Sequence, residues 1–258
     1  MNKLRQLLND NARSRGERTE RAPVRAQATG DRVAVYVYDV IDAYWGASAK
    51  AVIEALQGAA GRPVDLHINT PGGDVFECRA MISALRAHAP GVTTYVDGLA
   101  ASCGSWLMLA GDQVHIADGA MVMVHNSWTM TWGNKAELRS TADLLDKIDG
   151  AIVAEYARKT GKTAGELAAL MDTETWLTAQ EALAAGFVDA VDGAAPGEPD
   201  AGANRWNLAA YDNAPKLAPQ AADTAAGNAA EQRALDEQAE RVARLNRSRL
   251  ALLQTTRI

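Results

Sequence analysis

The chain has 258 residues, 48% of them hydrophobic, and a formal net charge of −6 from 26 Lys and Arg against 32 Asp and Glu. That is enough apolar material for one sizeable core in one or two domains, and without a basic excess in its middle the chain is a poor partner for nucleic acid. No apolar run is long enough to cross a bilayer, and Cys78 and Cys103 lack metal-ligand spacing, so the expectation is a cytoplasmic protein with free thiols, no metal and no cofactor.

Residues 1–30 read as a flexible, Arg-rich leader. They hold a two-leucine patch, acids at Asp10, Glu17 and Glu20, and room for a short helix over 3–9, which is not a secretory segment. The folded unit is expected over 31–192. The β-branched and aromatic run 33–38 predicts a strand, 47–57 a helix, 64–68 a strand and 75–88 a helix; strands follow at 92–96, 113–116 and 121–124, with a helix over 100–110 between them. Strands alternating with helices argue for α/β layers joined by parallel crossovers. A long helix is expected over 135–159 and a shorter one over 163–171; Thr178 to Glu181 forms a capping box for one more, closed by Gly186. Residues 193–228, rich in Ala, Pro, Gly, Asn and Asp, read as a linker, and 229–258 as a helical tail with heptad-like leucines.

Chemistry concentrates at two small-residue turns. Gly98-Leu99-Ala100-Ala101-Ser102-Cys103-Gly104 lies between a predicted strand and a predicted helix, where small neighbours admit a substrate backbone and unpaired N–H groups face a developing oxyanion. The same heptapeptide is compatible with Ser102 as a plain helix cap. Asn69-Thr70-Pro71-Gly72-Gly73-Asp74 also joins a strand to a helix, so Gly73 and Cys103 could supply two oxyanion N–H donors; no lysine follows Gly73, which disfavours a phosphate loop. His125, at the end of the strand 121–124, is the candidate base, with His115 as its rival; His67 and His88 read as structural.

Those two turns, Met121-Val122-Met123-Val124-His125, and Trp176-Leu177-Thr178-Ala179-Gln180-Glu181-Ala182 with Gly186-Phe187-Val188-Asp189 together resemble the proteolytic subunit of the Clp family over roughly residues 32–192. In Trp176 and the extended termini the chain is similar to the variant that tailed phages use to mature capsids. The resemblance implies a crotonase/Clp-like superhelix of repeated β-β-α units and a ring-forming serine endopeptidase with Ser102 as nucleophile and His125 as base. It also implies polypeptide substrates such as capsid or scaffold precursor, and a separate ATPase unfoldase as a potential partner. Family register puts the acid at Glu174 where an aspartate is usual, with Asp172 as the alternative, and Cys103 beside the serine leaves a thiol nucleophile open. The alternative function is a crotonase-like acyl-thioester enzyme or a non-catalytic ring or scaffold protein.

Overall fold

The computed structural model describes residues 23–193 and 206–215. The chain divides into two compact units after Ala214, and the architecture below is that of the first. The helix expected over 3–9 and the helical tail over 229–258 lie outside the described residues.

Among the described residues eight strands form one mixed sheet: β1 (Val24–Thr29), β2 (Arg32–Val37), β3 (Val64–Thr70), β4 (Val92–Ala101), β5 (Gln113–Ala117), β6 (Met121–Val124), β7 (Thr175–Thr178) and β8 (Ala190–Asp192). The spatial order is β1-β2-β3-β4-β5-β8, parallel from β2 to β8, with β1 antiparallel on β2. Alternation sets the faces. Val33, Val35 and Val37, Val64, Leu66 and Ile68, and Val114 and Ile116 point into one buried core with the helices.

Among the described residues six helices complete the layer: α1 (Ala49–Gly58), α2 (Val75–Arg86), α3 (Cys103–Leu107), α4 (Lys135–Thr160), α5 (Ala164–Asp172) and α6 (Ala179–Ala184). All of these starts but that of α3 are capped by a side chain. Asp74 Oδ1 accepts from the N–H groups of Phe76 and Glu77 at 2.7 and 3.0 Å, and capping boxes Asn134–Glu137, Thr163–Glu166 and Thr178–Glu181 open α4, α5 and α6. Gly161, at φ 71°, ends α4 in the left-handed conformation.

Three sequence expectations are corrected. The supposed leader contains β1, since Val24 to Thr29 pairs residue for residue with Val37 to Arg32 across the Gly30 turn; the polar composition of an edge strand hid it. The helix expected over 100–110 starts later and is not all α: β4 runs through Ala101, α3 has only five residues, Cys103–Leu107, and a 3₁₀ turn, Met108–Ala110, completes it. The expected linker is not all linker, because Ala210 and Tyr211 are buried against Leu99, Ala101 and Met123.

The feature that positions the site is a fork in β4. Thr93 to Val96 pairs with β5, whereas Leu99 to Ala101 pairs with β6, which in turn carries β7 antiparallel. Ala101 therefore lies opposite Met123, and the residues that follow each strand emerge side by side.

Candidate active site

Ser102 follows the fork at φ 55° and ψ −129°, a backbone conformation that L-residues rarely adopt. It is held there from both sides. Its N–H donates to Met123 O at 3.0 Å, and its carbonyl accepts from Ser105 N at 3.0 Å and Ser105 Oγ at 2.5 Å, with Ser105 Oγ bonded onward to the Tyr156 hydroxyl at 2.7 Å. The result turns the Ser102 side chain toward the end of β6. There His125 Nε2 lies 2.7 Å from Ser102 Oγ, the contact a general base needs to take the hydroxyl proton.

The Pro71–Gly73 turn faces the serine. A Cβ on Gly72 would fall 2.6 Å from Ser102 Cβ, so glycine keeps the space before the hydroxyl open. Gly73, at φ 152°, bridges to Ile41, where a Cβ would come within 2.0 Å of the Ile41 carbonyl oxygen. Thr70 braces the turn, donating from Oγ1 to Asp39 O at 2.6 Å and accepting from Gly72 N at 3.1 Å. Cys103 is the first residue of α3, so its N–H has no acceptor within that helix. With so short a helix, what α3 offers an oxyanion is this N–H itself rather than a long dipole.

The Cys103 thiol lies toward the start of α2. Its Sγ lies 3.9 Å from the Asp74 carbonyl oxygen, and its own carbonyl accepts from Cys78 Sγ at 3.0 Å. Burial pushes the Cys78 thiol up, so it stays protonated and inert.

Both candidate acids share a cleft of about 270 Å³ with His125; Trp128, Tyr211 and Asp212 also line it. Asp172 accepts from Asn126 Nδ2 at 2.7 Å. Glu174, at φ 47°, accepts from Trp176 Nε1 at 3.2 Å, from Asp212 N at 3.0 Å and from Asn213 N at 2.7 Å. Ser102 and Glu174 are two of the three non-glycine residues with positive φ among the described residues, and both border this site.

The remaining histidines lie elsewhere. His67 and His115 belong to a half-buried row on the outer sheet face, Tyr36, His67, Tyr95 and His115, stacked at 4.7 to 5.1 Å between ring centres. His67 is bonded to Asp97 at 2.8 Å and His115 to Asp192 at 3.1 Å. His88 Nε2 meets the Arg62 carbonyl at 2.7 Å. Among the described residues no group of three or more His, Cys, Asp and Glu is arranged to hold a metal, and no helix is long and apolar enough to cross a membrane.

Sequence reading missed the contribution of residues 206–214. Trp206 Nε1 donates to Asn69 Oδ1 at 2.9 Å, the Tyr211 hydroxyl donates to Pro71 O in a short hydrogen bond, and Asn213 Nδ2 donates to Thr173 O at 2.8 Å. The Tyr211 ring stands edge-on to His125 and Trp176, with centroids 5.4 and 5.8 Å away. A signal was present: Trp206 and Tyr211 are the only aromatic residues after Phe187, with Leu208 between them, in a stretch otherwise of small and polar residues.

A family model described as Clp protease matches residues 23–194. The ATP-dependent Clp protease proteolytic subunit 1 of Leifsonia xyli subsp. xyli (strain CTCB07) is 31% identical over 144 residues, 55% of this chain and 73% of that protein. Subunit 1 of Protochlamydia amoebophila (strain UWE25) is 30% identical over 165 residues, 61% of this chain and 79% of the relative. Subunit 2 of Rhodococcus jostii (strain RHA1) is 32% identical over 132 residues, 50% and 68% respectively.

Proposed function

Because the chain belongs to the Clp protease family, we propose that it is a serine endopeptidase in which Ser102 is the nucleophile and His125 the general base. The observation that carries this reading is the 2.7 Å contact between Ser102 Oγ and His125 Nε2. A crotonase-type acyl-thioester site needs oxyanion donors but no such pair, so the contact favours peptide hydrolysis over that alternative.

The reaction follows from the placement of these groups. As Ser102 Oγ attacks a peptide carbonyl, its proton passes to His125 Nε2; the carbonyl oxygen becomes an oxyanion and takes hydrogen bonds from the N–H groups of Gly73 and Cys103. His125 then gives the proton to the leaving amine, and an ester joins Ser102 to the acyl fragment. Water, deprotonated by His125, hydrolyses that ester and restores the serine. A carboxylate near the imidazole stabilises its charged form during the transfer. Glu174, in the family's position, is the residue we assign to that role, with Asp172 as its competitor across the same cleft.

The relatives are named as proteolytic subunits of ATP-dependent proteases, which supports a homo-oligomeric ring here and a separate ATPase as partner. The rising order β2, β3, β4 and β5, one crossover per step, supports the family's superhelical coil. Trp176 and the extended termini support phage capsid or scaffold precursors as the natural substrate, in the cytoplasm of an infected cell. The test is hydrolysis of casein and of short fluorogenic peptides: wild type should cleave both, and Ser102→Ala and His125→Ala neither. Equal turnover by wild type and Ser102→Ala would end the reading.

A further inference from the structure

The segment 206–214 packs against the residues that a substrate would have to approach. A scissile carbonyl must sit about 3 Å from both Ser102 Oγ and the oxyanion donors. The Tyr211 side chain already projects into that space: its hydroxyl is bonded to the Pro71 carbonyl at the start of the oxyanion turn, and its ring edge stands against the His125 ring. The residue is only 8% exposed, and its neighbour Ala210 only 5%.

The contact is built at three points. Trp206 is tied to Asn69 at the end of β3, Tyr211 fills the apolar hollow of Leu99, Ala101 and Met123 on the fork of β4 and β6, and the Asp212 and Asn213 N–H groups grip the Glu174 carboxylate. Asn213 adds a bond to Thr173 O. These are the kinds of contact by which a peptidase holds a peptide: an aromatic side chain in an apolar pocket and main-chain N–H groups on fixed acceptors.

We propose that residues 206–214 are an intramolecular inhibitor, a segment of this chain that occupies the substrate cleft beside Ser102 and His125 and must leave before a peptide can bind. The proposal rests on the serine-peptidase reading. Displacing the segment empties the pocket that Tyr211 fills, and it also frees both Glu174 oxygens from the Asp212 and Asn213 N–H groups. An incoming peptide with a large aromatic side chain competes best, because it can fill the same hollow.

The test is the rate at which a small fluorophosphonate modifies Ser102 in the full-length chain. Tyr211→Ala should be labelled at least about tenfold faster than wild type, and Tyr211→Phe, which keeps the ring and loses the hydroxyl with its bonds to Pro71 O and Ser102, by an intermediate factor. A synthetic peptide of residues 206–214 added to Tyr211→Ala should slow labelling again, whereas the same peptide with alanine in place of its tyrosine should not. Equal labelling rates in wild type and Tyr211→Ala overturn the inhibitor and leave the peptidase standing, as does slower labelling of a Tyr211→Ala protein that melts at the wild-type temperature. Absence of labelling in every variant overturns both.

Discussion

Ser102 and Glu174 hold left-handed backbone conformations that cost each of them on the order of 1–3 kcal/mol, and the cost is offset by the bonds that pin them. Ser102→Ala keeps the backbone bonds and removes only the hydroxyl. It should fold normally while kcat falls by about 10⁴ to 10⁶, which circular dichroism and a peptide assay would check together. The two acids separate by substitution. If Glu174 orients His125, Glu174→Gln should lower kcat strongly, with Asp172→Asn mild; the reverse pattern assigns the role to Asp172. Motif spacing was enough to put Ser102 at a turn between a strand and a helix and His125 at a strand end; that β4 runs on to Ala101 beside β6 came only with the structure. It could not indicate what faces them, because Tyr211 meets Pro71 across 140 residues of sequence and no local pattern encodes that contact.

Between elements, α2 and α4 are joined by one buried carboxylate. Glu155, 7% exposed, accepts from Arg79 at 2.8 Å and from Arg86 at 2.5 Å, with Arg158 at 3.2 Å. Burial pushes its carboxyl up, but the Arg86 and Arg79 guanidiniums outweigh that and hold it below its ordinary value of 4.5. A depressed value in the folded state means stability that is present above the unfolded carboxyl's titration and is lost as pH falls through the folded one. Glu155→Gln should therefore cost about 2–3 kcal/mol at neutral pH, less than a fully buried pair because the arginines are half exposed, and should flatten the acid limb of stability against pH. Urea titrations at neutral and acid pH read both effects. Gly73→Ala should be as damaging for a different reason, since its Cβ has nowhere to go but into the Ile41 carbonyl. Long helices and parallel strands were legible from apolar periodicity. β7 was not, because Thr175 to Thr178 is four residues of mixed polarity whose strand character comes from pairing with β6.

At the scale of the whole molecule, the first half of α4 is exposed where the second half packs. Along α4, Ile148 lies against the protein's own core, Leu145 is half-buried and Leu144 is 48% exposed; Leu138, Met130 and Trp132 are exposed alongside. Such a face fits association with further copies of the chain in closed rings. Light scattering should report an oligomer that Leu138→Glu with Leu144→Glu reduces in mass, and a wild-type monomer at micromolar concentration with full activity would contradict the ring. Ring or monomer, peptide hydrolysis here depends on one pair of side chains, Ser102 and His125. The most direct measurement is mass-spectrometric mapping of the fluorophosphonate adduct on wild type, Tyr211→Ala and His125→Ala. The account predicts a single adduct on Ser102 in the first two, and none when His125 is removed. An adduct on Cys103, or none on the Tyr211→Ala protein, would contradict it.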